Sequence, residues 1–340
     1  MLSAFVLALV PGPASIPWAP AAPIPQREQA TVELEPERLE GLIEALAKEI
    51  EDLYVFPDVA QEIGAKLRDR LYAGAYEGIG IEALSSRLTT DLRSVNSDKH
   101  LAVSPLRPRR AEQAPDPAQQ EREDLDAARR TNYGFQKVEI LDGNIGYLEL
   151  NGFIPLALGR DTAAGAMAFL ANVDALIVDL RRNGGGDPTM IQFLTSYFLA
   201  ERTHLNSFEW RGREGLEEFW TFDDVPGKRL IDVPIFVLTS QSTFSAAEEF
   251  SYNLRNLERA TIVGQTTGGG AHPGGNHEIA GLVSVFIPQG RTINPITKTN
   301  WEGVGVEPHM KVPAEQALDA AKREAARLLA ERRKLPAAGG

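Results

Sequence analysis

Two short stretches carry the residue types and spacings that could do chemistry. In Arg181-Arg182-Asn183-Gly184-Gly185-Gly186 three glycines stand in a row. Free of side chains, successive N–H groups there can turn toward one point, which suits a developing oxyanion or a phosphate. The stretch lacks the Lys and Ser/Thr of a phosphate-binding P-loop, and a plain strand-to-helix turn would use the same glycines. The second stretch, Ser240 to Glu248, places Ser245 just inside a helix start. Its hydroxyl would sit in the positive field of that terminus, and the N–H of Ala246 could help bind an oxyanion. Helix capping is the plainer role for Ser242 or Thr243. A third cluster, Gly268-Gly269-Gly270 with His272 after it, fits a cleft wall or a flap. A serine nucleophile needs a base within reach. The candidates are His100, His204, His272, His277 and His309, and spacing alone does not choose among them. No His-x-x-x-His or Glu-plus-His spacing calls for a metal.

These stretches must be held by regular elements. Ala175–Leu180 and Pro234–Thr239 are continuous apolar runs, as expected for strands covered on both faces. Ile145–Leu150, Ala260–Val263 and Val283–Pro288 read as further strands. Helices are expected over 161–172, 188–199, 245–257 and 313–333. Strand, turn and helix in alternation imply a mostly parallel or mixed sheet with helices packed on it. Such sheets place ligands beyond the carboxyl ends of their strands, where both stretches fall. Before them, Leu39, Leu42, Ile43, Leu46 and Ile50 share a helix face. Helices after Pro57 and over 81–95 complete a small helical domain.

The chain divides accordingly into a leader over 1–25, a helical domain over 30–103, a Pro-rich linker over 104–132 with a short helix at 119–130, an α/β domain over 133–315 and a C-terminal helix and tail over 316–340. Met1–Val10 is apolar and small residues follow, as in a secretory signal, although no Lys or Arg precedes Arg27. Export is therefore expected, to the periplasm or the outside, with a cytoplasmic leader as the alternative. The run is too short to span a bilayer, and no integral membrane segment is expected. A net charge of -12 argues against nucleic acid as a partner. The chain has no cysteine, which removes disulfides, thiol nucleophiles and thiolate metal sites.

Six motifs follow in order: Asp98-Lys99-His100-Leu101, Gly146-Tyr147-Leu148, Asp179 to Gly186, Thr243-Phe244-Ser245-Ala246-Ala247-Glu248, Gly264-Gln265-Thr266-Thr267-Gly268-Gly269, and Trp301-Glu302-Gly303-Val304-Gly305-Val306-Glu307-Pro308. Together they resemble the serine peptidases that include the C-terminal (tail-specific) processing proteases, the tricorn core protease and the interphotoreceptor retinoid-binding protein modules. The resemblance covers roughly residues 35–315. It is nearest to the retinoid-binding-protein-like branch, with a helical N-terminal domain and no room for a PDZ insert.

The resemblance implies an α/β, crotonase-like core with a mixed β-sheet and flanking helices, and Ser245 as nucleophile. The processing proteases carry their base, a Lys, at about the position of Gly270, and no Lys lies nearby here. The tricorn-like branch uses a His that matches His100 and a carboxylate that matches Glu302. In tricorn a serine before the His links it to the glutamate; here Lys99 stands in its place. Asp98 is read as capping a turn. The implied activity is peptide hydrolysis through an acyl-enzyme, without cofactor or metal, on peptides or unfolded protein. Gly185, Gly186 and Ala246 would form the oxyanion hole, and Gly269 and Gly270 would touch substrate. Oligomeric state is left open. The alternatives are a non-catalytic carrier of apolar ligands on the same fold, and an acyl-transfer or thioester enzyme of the related crotonase type.

Overall fold

The computed structural model describes residues 34–106 and 117–334. The expected leader, and part of the expected linker, lie outside them. Helices α1 (Pro36–Leu53), α2 (Pro57–Tyr72) and α3 (Ile81–Asn96) come first. Proline opens α1 and α2, where a missing N–H costs nothing. β1 (Ala102–Pro105), α4 (Pro117–Arg130) and the hairpin of β2 (Phe135–Leu141) and β3 (Ile145–Leu150) follow. Then come α5 (Leu156–Phe169), β4 (Ala175–Asp179) and α6 (Pro188–Ser196). β5 (His204–Trp210) and β6 (Glu217–Trp220) pair before β7 (Ile235–Thr239), α7 (Ala246–Asn256) and β8 (Ala260–Gly264). The chain closes with β9 (Gly274–Ile279), β10 (Val283–Pro288), β11 (Gly290–Ile293), β12 (Met310–Lys311) and α8 (Ala317–Lys334).

The main sheet has six strands in the order β12-β8-β7-β4-β3-β2. It is mixed: β2 runs antiparallel to β3, and the remaining pairs are parallel. Alternate residues of its strands feed two cores. Leu176, Val178, Ile235, Val237 and Ile262 pack with α5, α6 and α7. Ala175, Ile177, Phe236, Leu238 and Val263 pack with the alanine-rich face of α8. Burial on both faces is why β4 and β7 read as unbroken apolar runs.

The helical region does not close on itself. Its core extends onto a three-stranded sheet, β1-β10-β9, through Val103, Ile279, Val283, Val285 and Ile287. Val55 N donates to Pro288 O at 2.9 Å, and Leu106 N to Leu282 O at 2.9 Å. An amphipathic helix layer must bury its apolar face on something, and here a hairpin from late in the chain supplies the second layer. This pairing brings the turn between α3 and β1 beside the glycine-rich loop before β9. A third sheet has the order β11-β5-β6, and Arg211 N, just past β5, donates to Gln289 O, just past β10, at 2.9 Å.

Candidate active site

Three loops leave the carboxyl ends of β4, β7 and β8 and meet in one cleft of about 980 Å³. Their backbones are tied to one another. Phe244 N donates to Asn183 O (3.1 Å), Gly268 N to Thr243 O (2.9 Å), and Thr243 Oγ1 to Leu180 O (2.8 Å). Ser245 is the N-cap of α7, with φ 54° and ψ −121°. That region belongs to the first central position of a tight reverse turn and is unfavourable for a residue with a Cβ. Glu248 secures it. Its buried carboxylate accepts from Ser245 N (2.9 Å), Gly270 N (2.8 Å), Gly269 N (2.6 Å) and Thr267 Oγ1 (2.5 Å). Burial raises the pKa of Glu248, and these donors oppose the rise.

Gly185 has φ 115° and Gly186 φ 138°. A Cβ on Gly185 would lie 2.8 Å from Ser245 Cβ, so only glycine lets this loop approach the serine. The N–H of Gly185 is already bonded to Asn183 Oδ1 at 2.9 Å. Gly186 and Ala246 line the cleft. Ala246, as first residue of α7, has an N–H with no partner inside its helix.

His100 reaches the same cleft from the other side of the chain. The turn that carries it is clamped. Asp98 Oδ1 accepts from His100 N (3.0 Å), and Arg93 donates to the carbonyls on either side, Lys99 O and Leu101 O, both at 2.7 Å. The His100 ring lies against Phe244, with centroids 4.6 Å apart, and stacks on Phe286 at 5.4 Å. It is 9% exposed, and its Nδ1 is buried without a hydrogen-bond partner. Burial depresses its pKa to about 4, opposed by the charge of Asp98.

Behind His100 lies a network absent from the sequence reading. Asp98 Oδ2 accepts from Tyr54 OH (2.9 Å) and from His272 Nδ1 (2.8 Å). Glu302 Oε2 accepts from Ala271 N (2.5 Å) and lies 3.6 Å from His272 Nδ1. Glu302 Oε1 is buried without a partner. A His100 ring nitrogen and single carboxylate oxygens of Asp98 and Glu302 all lie within 4.8 Å of one another. Burial and the neighbouring Asp98 charge raise the Glu302 carboxyl to about 7. Burial also works against Asp98, but the His272 hydrogen bond and the nearby imidazoles outweigh it and leave its pKa lowered. Asp98 thus caps the turn, as expected, and anchors His272 as well. The oxygens of Asp98 are thus committed to Tyr54, His272 and His100 N.

The comparisons with known proteins follow this division of the site. The model of peptidase family S41 matches residues 144–312, which hold Ser245, the glycine loops and Glu302. The model of the N-terminal domain of that family in eukaryotic IRBP matches residues 28–133, which hold Tyr54, Asp98 and His100. The chain belongs to peptidase family S41. A carboxyl-terminal-processing protease of Synechocystis sp. is 31% identical over 126 residues, 37% of this chain. The match spans only 28% of the length of that protein. Among solved structures, a candidate peptidase of Parabacteroides merdae superposes with a TM-score of 0.61 at 20% identity, over 84% of this chain and 96% of the other. The photosystem II D1 C-terminal processing protease gives 0.50 at 16% identity, over 82% of this chain and 94% of the other. At such identities these two structures speak for the fold.

The S41 frame makes Gly270 informative. A Cβ there would lie 2.2 Å from Phe244 Cζ and 2.7 Å from His100 Cε1. The space that a Lys would need in the processing-protease arrangement is filled by Phe244 and the imidazole. Gly270 lies on the cleft wall. Gly269 does not: its backbone is braced against Gly303 to Gly305, and Gly303 N donates to its carbonyl at 3.1 Å. Lys99, in the place of tricorn's serine, donates to Gly268 O at 2.5 Å and joins the His100 turn to the glycine loop. Trp301 is a packing residue, buried against Tyr252, with Nε1 donating to Gly270 O at 2.6 Å. Three histidines take contacts elsewhere: His204 stacks on Trp220, His277 pairs with Glu49, and His309 accepts from Ile262 N.

Proposed function

We propose that this S41 chain is a serine-type peptidase in which Ser245 attacks a peptide carbonyl and His100 is the base. The observation that carries the reading is the meeting of Ser245, at the strained entrance of α7, with the buried imidazole of His100 in one cleft. His100 Nδ1 is enclosed, so Nε2 takes the Ser245 proton. The tetrahedral oxyanion settles on the N–H groups of Gly186 and Ala246. Gly185 serves by its lack of a side chain, because its N–H is spent on Asn183. Collapse breaks the C–N bond, and the proton held on His100 passes to the leaving amine. Water, deprotonated by the same imidazole, then releases the acyl group from Ser245.

A base with a pKa near 4 is neutral at pH 7, which is what proton abstraction requires, but its cationic form needs help when it appears. Asp98 and an ionised Glu302 supply it. Glu302 ionises only above about 7, so kcat/KM rises through that pH.

The substrates proposed are peptides or unfolded proteins; the carboxyl-terminal processing named for the Synechocystis relative is one form of that chemistry. Among the described residues no helix is long and apolar enough to cross a membrane. Export is proposed on the sequence of Met1–Val10 and the small residues after it; cell fractionation with N-terminal sequencing tests it. The aromatic walls of the cleft, Phe153, Phe208 and Phe219, favour the second reading, an apolar-ligand carrier. Turnover of an unfolded protein separates the two. Wild type should cut, and Ser245→Ala and His100→Ala should each be at least ~10²-fold slower at matched folding. Equal inactivity of all three across substrates and pH, with tight binding of an apolar ligand, would support the carrier.

A further inference from the structure

The cleft contains a buried carboxyl that the Ser245–His100 chemistry does not use. Glu249 stands one helical turn beyond Ser245, on the same face of α7. It lines the cleft and is only 4% exposed. Burial pushes its pKa up to about 8, and the charge of Asp187 adds to the rise. Asn206 on β5 and Asn253 on α7 lie close enough to favour its charged form. Yet both polar atoms of the Asn206 amide, and Nδ2 of Asn253, are fully buried without a completed hydrogen bond. Buried polar groups are normally paired, so amide atoms left this way beside a carboxyl on the cleft wall mark a place where a further polar group can complete the set.

The surroundings say what that is. Glu249 shares the cleft with Asp187 and Glu217, against Lys99. The walls beside them are the rings of Phe153, Phe208 and Phe219. A long methylene stem packs well on such rings, and a cationic head pairs with a desolvated carboxylate by charge-assisted hydrogen bonds. An acidic side chain would meet like charge. A purely apolar one would fill the space but offer nothing to the Glu249 carboxyl.

Building on the peptidase reading, we propose that this pocket selects substrates by a Lys or Arg side chain next to the scissile bond, with its head on Glu249. A site made to pair a polar group rejects the analogue that lacks it far more strongly than an apolar pocket rejects a small change of size.

The test uses matched peptides that differ at one position: arginine, lysine, norleucine or glutamate. With the full chain, arginine and lysine should exceed norleucine in kcat/KM by at least ~10-fold, and Glu249→Gln should cut that ratio at least ~10-fold. Norleucine peptides cleaved as well as arginine ones by wild type, or a ratio unmoved by Glu249→Gln in a variant with native circular dichroism, would overturn the proposal. Equilibrium binding of the same peptides to Ser245→Ala reads the preference without turnover and with Glu249 intact. Arginine binding no tighter than norleucine there overturns the cation pocket, whatever the chemistry. A clear arginine preference in binding, with no cleavage by wild type, upholds the pocket and overturns the peptidase reading instead.

Discussion

On the side of the proposed nucleophile, the turn at Ser245 is fixed by backbone bonds from three loops and by a carboxylate, Glu248, that accepts four hydrogen bonds. On the base side, His100 Nδ1 and Glu302 Oε1 are buried without partners, and Glu302 titrates near neutrality. The first half is satisfied and rigid, as a strained nucleophile and a preorganised oxyanion site require. The second is left electrostatically incomplete, as a group that must gain and lose a proton requires. Rigidity and titratability are thus assigned to different elements: loops after the parallel strands of the mixed sheet for one, the helical layer and the Trp301–Glu302 loop for the other.

Four perturbations test this contrast. The largest effect is expected from Glu248→Ala, which leaves the N–H groups of Ser245, Gly269 and Gly270 without their acceptor. Each buried donor orphaned costs about 1–3 kcal/mol. Unfolding titrations should therefore show a loss of several kcal/mol, with activity down by at least ~10³-fold; a near-native midpoint would mean that the nucleophile side is not held as described. Next is Gly270→Ala. Its methyl meets Phe244 and His100 inside contact distance, which predicts a cost of about 1–3 kcal/mol and displacement of the imidazole. Activity should fall more than stability accounts for, and normal turnover would contradict the packing of the base.

The third perturbation is pH. The rising limb of kcat/KM near 7 should vanish in Glu302→Gln, leaving a flat, lower plateau across pH 6–8. The sign for stability is opposite. A folded-state pKa above the unfolded value of about 4.3 means that the fold holds a proton the unfolded chain has lost. Stability from this group is complete below about 4.3 and is lost as pH rises through about 7. Thermal midpoints of wild type and Glu302→Gln should therefore diverge over that window, wild type falling; parallel curves would remove Glu302 from the account. The smallest effect on activity belongs to Tyr54→Phe, which deletes the hydrogen bond donated to Asp98 and the one accepted from Asn96 Nδ2. About 0.5–1.5 kcal/mol of stability per bond and a few-fold in kcat are expected, with KM unchanged.

Much of the nucleophile side was legible in the sequence because its parts are local. Ser245, its helix and Glu248 are contiguous, and β4 and β7 announce themselves as apolar runs. The helix expected over 161–172 begins earlier, at Leu156, where Pro155 serves as N-cap, and it ends at Phe169. The base side was legible only through the resemblance. Asp98 and His272 are 174 residues apart, and Tyr54 and Asp98 are 44 apart. No periodicity reports such contacts. The short strands β1, β9 and β11 escaped notice because they carry few apolar residues, and β1 and β11 take their order from partners far away in the chain. The lone signal for His272 was its place two residues after a glycine cluster whose last member, Gly270, lies on the cleft wall.

The central claim, that Ser245 is activated by His100, is tested most directly by the rate of covalent labelling with a fluorophosphonate, followed by peptide mapping. The account predicts stoichiometric phosphonylation of Ser245 in wild type, no label in Ser245→Ala, and labelling at least ~10²-fold slower in His100→Ala. Labelling of His100→Ala at the wild-type rate, or modification of a different serine, would contradict it.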